Sequence, residues 1–275
     1  MTIAVVGLGQ MGGGIAASLA RTGTEVLGVD PQAPQTPDGV TRTELADAVE
    51  RADVLVLSLP GGAQVDQVVA GVLEAPAPRL VIDTSTCSPD ETRARAQRLG
   101  EQRHTFVDAP VSGGSSGAWA GELTVFLGCP DSELGRVRSV LQPLASRINH
   151  VGDVGAGHTA KLLNNLLCGI HLCAARALMG VSQETGVDPE ALLRAINTAS
   201  GRSAVTEVNL PRWVLSEAFD SGFPVGLMAR DVDLATELAE KAGAASPLVV
   251  AAAQMWQDLG ETLGRDEDFN RMVTG

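Results

Sequence analysis

Short apolar runs rich in Val, Ile and Leu alternate with helical patterns through the first half of the chain. That rhythm is how βαβ units around a buried parallel sheet read. The clearest strands are 3–6, 25–29, 54–58, 80–83, 105–108 and 123–127. Helical segments are expected at 11–21, 63–72 and 131–141, and at 91–99 with Asp90 as its cap. This order predicts a doubly wound, mostly parallel α/β sheet of the Rossmann type.

The pattern changes after the glycine-punctuated stretch 151–157. From His158 to Glu184 the sequence runs without Pro as one long helical stretch, and Gly186 supplies a C′ residue. Asp188-Pro189 gives an N-cap with Pro at the first helical position, so a helix over 190–198 begins at once. Ala-rich helices fit 231–242 and 247–263, and no convincing strand follows residue 151. The expected organisation is a Rossmann domain over 1–153 and an all-helical domain over 154–275, joined by the long helix. No solenoid repeat or low-complexity segment is present.

Composition narrows the function classes. The chain has 275 residues and 20 Lys plus Arg against 33 Asp plus Glu, a formal charge of −13. A basic nucleic-acid footprint is therefore absent, and eight aromatic residues are too few for a base-stacking platform. The uncharged run 2–20 lacks a basic flank and contains five glycines, and the run 242–257 is interrupted by Pro247, so neither reads as a membrane segment. Four cysteines without CxxC spacing or clustered His suggest neither a metal site nor disulfides. A soluble, cytoplasmic protein with reduced thiols is expected. Tyrosine is absent altogether, which excludes every carbonyl-reducing mechanism built on a Tyr acid.

Gly7-Leu8-Gly9-Gln10-Met11-Gly12 follows the first strand and opens a helix, the context in which GxGxxG signals dinucleotide binding. The first glycine permits the turn, the second lets a pyrophosphate approach the backbone, and the third allows close helix–strand packing. Asp30 ends the second strand, where a carboxylate accepts the adenine-ribose hydroxyls and repels a 2′-phosphate. No Lys or Arg lies between Asp30 and Arg42, so NAD is expected over NADP. A turn cap is the alternative role for Asp30. Gly13 and Gly14 read as close packing under the loop.

Two segments suggest chemistry. Asp108-Ala109-Pro110-Val111-Ser112-Gly113-Gly114 leaves a strand for what reads as a loop of small residues, whose N–H groups and Ser hydroxyl suit a carboxylate. Lys161, Asn164 and Asn165 fall at i, i+3 and i+4 near the start of the long helix, where the domains are expected to meet. Such a trio is often only a solvated face, but leucines at 162, 163, 166 and 167 are expected to bury the adjoining surfaces. A partly desolvated lysine suits proton exchange with an alkoxide, and with no Tyr available Lys161 is the best general acid–base. His158 lies one turn earlier and could tune it, although a first-turn histidine is expected to be exposed. His104, His150 and His171 read as structural.

Four motifs in order carry a resemblance over nearly the whole chain. They are GLGxMG with Ala16, Leu19 and Gly23; Asp83-Thr84-Ser85-Thr86 with Pro89; the 108–114 segment with Gly117 and Gly121; and Lys161/Asn165 followed by 223–231. The sequence resembles the β-hydroxyacid dehydrogenases. The resemblance implies Lys161 as the catalytic acid–base, with Ser112, Gly113, Gly114 and Asn165 holding substrate. It also implies that Leu59, Pro60 and Thr86 line the cofactor and that Phe223 covers the nicotinamide side. The family usually carries Lys-Asp where this chain has Arg230-Asp231, so Arg230 is expected to reach cofactor or substrate, with a salt bridge to Asp231 or Asp233 as its alternative.

The expected activity is NAD-dependent interconversion of a small 3-hydroxy acid and its semialdehyde. Residues 121–124 and 200–203 look closer to the 3-hydroxyisobutyrate branch, and a homodimer or homotetramer is expected. Imine reductases share the architecture but resemble enzymes with Asp or Tyr at position 161, and a decarboxylating phosphogluconate dehydrogenase needs a larger helical domain. A non-catalytic dinucleotide-binding module of the same fold is the rival from another class.

Overall fold

The computed structural model describes residues 1–274. They form two compact units, Met1–Lys161 and the chain from Leu162 onward, so the division falls inside a helix.

The first unit is built in chain order from β1 (Thr2–Val6), α1 (Gln10–Ala20), β2 (Glu25–Val29), β3 (Val40–Arg42), α2 (Leu45–Arg51), β4 (Val54–Leu57) and α3 (Gly62–Leu73). It continues through β5 (Leu80–Asp83), α4 (Pro89–Glu101), β6 (Thr105–Asp108), β7 (Val111–Ser112), α5 (Gly114–Ala120), β8 (Leu123–Gly128), α6 (Leu134–Leu141) and β9 (Ala145–Gly152). The sheet order is β3-β2-β1-β4-β5-β6-β8-β7, with β9 paired to β8. All pairings from β3 to β6 are parallel, and β8 runs antiparallel to β6 and β7.

The uninterrupted apolar strands follow from burial on both faces. Ile3, Val5, Val54, Val56, Leu80 and Ile82 enter one core with Ile15 and Leu19 of α1, while Ala4, Val6, Leu55, Leu57 and Val81 enter another with Val65, Val68 and Val69 of α3. At about 25 cal/mol per Å² of apolar surface removed from water, these two layers are the main favourable term for the sheet. The strand ends at Val6, Val29, Leu57 and Asp83 are in register, which brings the turns after β1, β2, β4 and β5 to one edge.

The second unit takes up the rest of α7 (Ala156–Thr185), then α8 (Pro189–Ile196), a π-type helix (Val205–Val214), α9 (Val225–Lys241), α10 (Pro247–Leu263) and a 3₁₀ segment (Phe269–Val273). Leu162, Leu166, Leu172, Met228, Val232 and the fully buried Trp256 form its core. By length and composition alone α7 is apolar enough to cross a bilayer, a test that the core helix of a soluble protein also passes. Asp188 caps α8 by accepting from the Ala191 N–H at 2.8 Å, and Gly186 beyond α7 has φ +68°.

Several expectations are corrected. The small-residue stretch after β6 is a two-residue strand and the helix α5, which packs on α1: a Cβ at Gly14 would sit 2.8 Å from the Trp119 nitrogen and 2.9 Å from Ala118. Gly14 therefore makes room for α5 rather than packing under the loop. The cap of α4 is Ser88 with Pro89 in the first turn, not Asp90. Helix α9 begins at Val225, six residues before the expected Asp231. The strands β3 and β9, the helix α2 and the π-type helix, which accommodates Pro211, were not expected at all.

Candidate active site

The glycine loop sits between β1 and α1. Gly7 has φ +90°, and its N–H donates to the Val29 carbonyl at 2.8 Å. A Cβ there would run into the Ser58 carbonyl, and one at Gly12 into the Gly7 carbonyl. Both glycines are thus demanded by backbone packing. At Gly9, among the described residues, nothing comes within 4 Å of a built Cβ. Protein packing does not call for glycine at that position, and the open space over it leaves the backbone accessible to a ligand. Helix α1 starts at Gln10 without a side-chain cap and without an acidic residue in its first turn, so its N-terminal N–H groups and positive dipole end suit a phosphate. These residues fit a dinucleotide.

Asp30 is tied into the same loop. One carboxylate oxygen accepts from the Leu8 N–H at 2.8 Å, and the other from the N–H groups of Gln32 (2.8 Å) and Ala33 (3.2 Å). The capping role is therefore present, together with an anion at the end of β2. Arg42, distant in sequence, lies against this turn and donates to the carbonyls of Ala33 (2.8 Å) and Asp30 (3.1 Å).

The other first-unit residues gather on neighbouring segments. Leu59 donates its N–H to Ser85 Oγ at 3.0 Å, which joins the turn after β4 to the Thr84–Thr86 segment after β5. Pro60 is exposed and Thr86 half-buried. Ser112 ends β7, Gly113 (φ +127°) is the N-cap of α5, and Gly114 opens it. Ser115 Oγ donates toward Gln10 of the glycine loop at 3.2–3.3 Å. Met11 is half-buried against the sheet core.

Lys161 is buried (7 % exposed) in the second turn of α7. Asn165, one turn on, is also buried, whereas Asn164 is exposed and donates to the Asn165 side-chain oxygen at 3.1 Å. Under the helix start lies a polar cluster that sequence reasoning missed. Asp108, fully buried at the end of β6, accepts from the N–H groups of Gly155 and His158, each at 2.7 Å. His158 is fully buried, contrary to the expected exposed position. Its Nδ1 is 2.8 Å from Thr92 Oγ1 and its Nε2 is 2.9 Å from the Ser85 carbonyl. Burial pushes the Asp108 carboxyl above the usual carboxylate range, while His158 and the two backbone N–H groups pull the other way. Asp83 and Cys87 lie beside the ring, with possible ligand atoms of all three within 4.8 Å of one another, but both ring nitrogens are already committed to Thr92 and Ser85.

In the second unit, Asp231 is 1 % exposed and accepts from Asn165 Nδ2 at 2.7 Å and from Arg230 Nη2 at 3.0 Å. Arg230 thus makes the salt bridge to Asp231 that was its alternative role. Asp231 itself, not singled out from sequence, orients Asn165. Phe223 is half-buried and packs edge-on against Phe269 with centroids 5.2 Å apart.

Comparisons with known proteins agree along the whole chain. Residues 2–152 match the family described as the NAD binding domain of 6-phosphogluconate dehydrogenase. Residues 155–274 match the family described as the NAD-binding part of NADP-dependent 3-hydroxyisobutyrate dehydrogenase. The chain is 32 % identical to 2-(hydroxymethyl)glutarate dehydrogenase of Eubacterium barkeri, over 98 % of this chain and 93 % of the relative. It is 33 % identical to 3-hydroxyisobutyrate dehydrogenase of Pseudomonas aeruginosa, over 92 % and 90 %. Among solved structures, 3-hydroxyisobutyrate dehydrogenase of Mycobacterium tuberculosis with L-serine superposes with a TM-score of 0.92 at 33 % identity, covering 99 % of this chain and 98 % of that one.

Proposed function

The chain belongs to the β-hydroxyacid dehydrogenase family, and from that premise we propose that it interconverts a small 3-hydroxy acid of the 3-hydroxyisobutyrate type and its semialdehyde, with NAD preferred over NADP and Lys161 moving the proton. The observation that carries this reading is Lys161 itself, a buried lysine on α7 in a protein without tyrosine. The named relatives act on 3-hydroxyisobutyrate and 2-(hydroxymethyl)glutarate, both of which carry a CH₂OH group on the carbon that bears a carboxylate.

Bound NAD would supply the hydride acceptor in oxidation and, reduced, the donor in the reverse direction. Residues Gly7 to Gly12 would hold its pyrophosphate, Asp30 its adenine ribose, and Leu59, Pro60, Thr86 and Phe223 its remaining surface. In oxidation neutral Lys161 takes the proton from the substrate hydroxyl at Nζ; in reduction the ammonium returns it to the carbonyl oxygen. Ser112 and the N–H groups of Gly113 and Gly114 hold the substrate carboxylate, Asn165 orients the hydroxyl with Asn164 beside it, and Arg230 adds positive charge. The NAD preference rests on the Asp30 anion at the end of β2. We expect residues 1–153 to form the NAD-binding domain, which also lends Ser112 to Gly114 to the substrate, and 154–275 the substrate and oligomerisation domain, in a cytoplasmic homodimer or homotetramer; Leu163 and Leu167, large apolar side chains expected to be buried but exposed one turn apart on α7, support self-association.

The test is Lys161→Ala. Turnover is expected to fall by about two to four orders of magnitude, the scale of general acid–base catalysis, with the fold and NADH binding kept. Near-normal turnover in that variant refutes the mechanism, and a broad panel of 3-hydroxy acids with NAD, followed by NADH absorbance, identifies the substrate.

A further inference from the structure

Beneath the start of α7, the Asp108–His158 cluster is more elaborate than a helix cap needs. One serine or threonine commonly caps a helix. Here a fully buried carboxylate does so with both oxygens, one on Gly155 and one on His158. Desolvating that anion is costly, and the surrounding chain is shaped to admit it. A Cβ at Gly128 would meet Asp108 Oδ1 at 2.5 Å, and one at Gly157 would meet Asp108 Oδ2 at 2.9 Å and run into the Phe126 carbonyl. Two glycines on different elements thus leave space for one side chain.

The imidazole extends this anchorage sideways. The Ser85 carbonyl only accepts, so Nε2 carries a proton toward it. Nδ1 faces Thr92 Oγ1, which also lies 2.9 Å from the Ser88 carbonyl. Ser85 in turn accepts from Leu59 through its hydroxyl. Through one ring, the first turn of α7 is therefore bonded to the segment after β5 and, through Ser85, to the turn after β4. Lys161 stands three residues beyond His158, on the next turn.

We propose that His158, held by Asp108, is a positioning residue for Lys161: it fixes the first turn of α7 to the Ser85–Thr92 segment, and so sets where the lysine amine stands relative to the cofactor-lining residues Leu59 and Thr86. This rests on the reading of Lys161 as the proton-transferring group. A helix start free to shift by about 1 Å would misplace the amine, an error that can cost about 10²-fold in rate.

The experiment compares His158→Leu, which deletes both ring bonds, with His158→Gln, whose amide retains one donor and one acceptor. Both are assayed in the full-length enzyme alongside Lys161→Ala, with turnover, KM and the NADH dissociation constant measured for each. The leucine variant is expected to lose about 10- to 100-fold in kcat, with KM and NADH affinity within about twofold of the parent, and glutamine is expected to restore most of that loss. Parental kcat in His158→Leu overturns the proposal. So does a fall in NADH affinity that matches the loss in kcat, or a glutamine variant no better than leucine. If His158→Leu does not fold, Thr92→Val removes the Nδ1 contact together with the Thr92 hydroxyl's bond to the Ser88 carbonyl and leaves the Nε2 bond to Ser85; a several-fold loss of kcat is expected, and an unchanged kcat overturns the proposal. Retained turnover in Lys161→Ala removes the underlying reading instead, whatever His158 does.

Discussion

Replacing Asp30 by Asn separates its two roles, because the change removes the charge and one acceptor while keeping the shape. The carboxylate now serves Leu8 with one oxygen and Gln32 and Ala33 with the other. An asparagine has one oxygen, so an NH₂ group must face a backbone N–H on one side. A hydrogen bond to a charged group contributes about 1.5–3 kcal/mol, and the half-exposed position reduces this to about 1–2 kcal/mol. Cofactor choice should move further. A 2′-phosphate about 5 Å from a carboxylate is repelled by about 1–3 kcal/mol at effective dielectric constants between those of water and of a protein surface. That repulsion disappears in the variant, and Arg42, already against the turn, is left as the nearest charge. The ratio of NADPH to NADH dissociation constants is expected to fall by about 10- to 100-fold, or 1.4–2.7 kcal/mol. Fluorescence titration of both reduced cofactors, with urea denaturation in parallel, measures the two effects separately. Adding Arg42→Met should cancel part of the gain for NADPH. An unchanged ratio with reduced stability would show that Asp30 only caps the turn, and the NAD preference would lose its basis.

Gly12→Ala should destabilise the first unit by about 1–3 kcal/mol, the range for overpacking, because the new methyl meets backbone at Gly7 and lies 3.1 Å from the Ser58 Cβ. It should also weaken NADH binding; parental values in both urea denaturation and titration would contradict the packing account. Burial pushes the thiols of Cys129 and Cys173 up to about 11, for Cys129 with help from Asp108 and Asp131. A raised thiol pKa leaves only about one thiolate in a thousand at pH 8, so alkylation of the folded protein should spare both residues, while urea exposes them. Stoichiometric labelling of either within minutes, with the fold intact, would refute this.

Legibility in the sequence followed the length and burial of each element. Strands such as Val54–Leu57 are apolar at every position because both faces are covered, and such runs stand out. Strand β9 has exposed Arg147, Asn149 and Val151 beside half-exposed Ile148 and His150, with an apolar and a polar residue on each side, and β3 buries only Val40, so neither carries a recognisable hydrophobic period. Helix α5 is made of Gly, Ser, Ala and Trp, the composition of a loop; its identity comes from packing on α1, a tertiary cause. In the site, Lys161 and Asn165 were visible because one helix places them a turn apart. Asp231 and the Asp108–Thr92–His158 cluster were not, because their partners lie 66, 50 and 66 positions away in sequence. Asp108 opens the 108–114 motif, yet nothing local marks it as the acceptor for α7. A buried polar group declares its role only through its partner.

The glycines supply a distinction that a motif cannot. Within Gly7-x-Gly9-x-x-Gly12, the outer two are fixed by collisions with the protein's own carbonyls at Ser58 and Gly7, so they would be needed in this fold even if it bound nothing. The same holds for Gly14 against α5 and for Gly157 against the ends of β6 and β8. Of the three motif glycines, Gly9 alone meets no packing demand among the described residues. A non-binding relative that kept the architecture would therefore be free to replace Gly9 first, and Gly9→Ala should cost little stability while impairing dinucleotide binding. A glycine there, beside an uncapped helix N-terminus without first-turn carboxylates, argues for a dinucleotide-binding loop more strongly than the complete motif does.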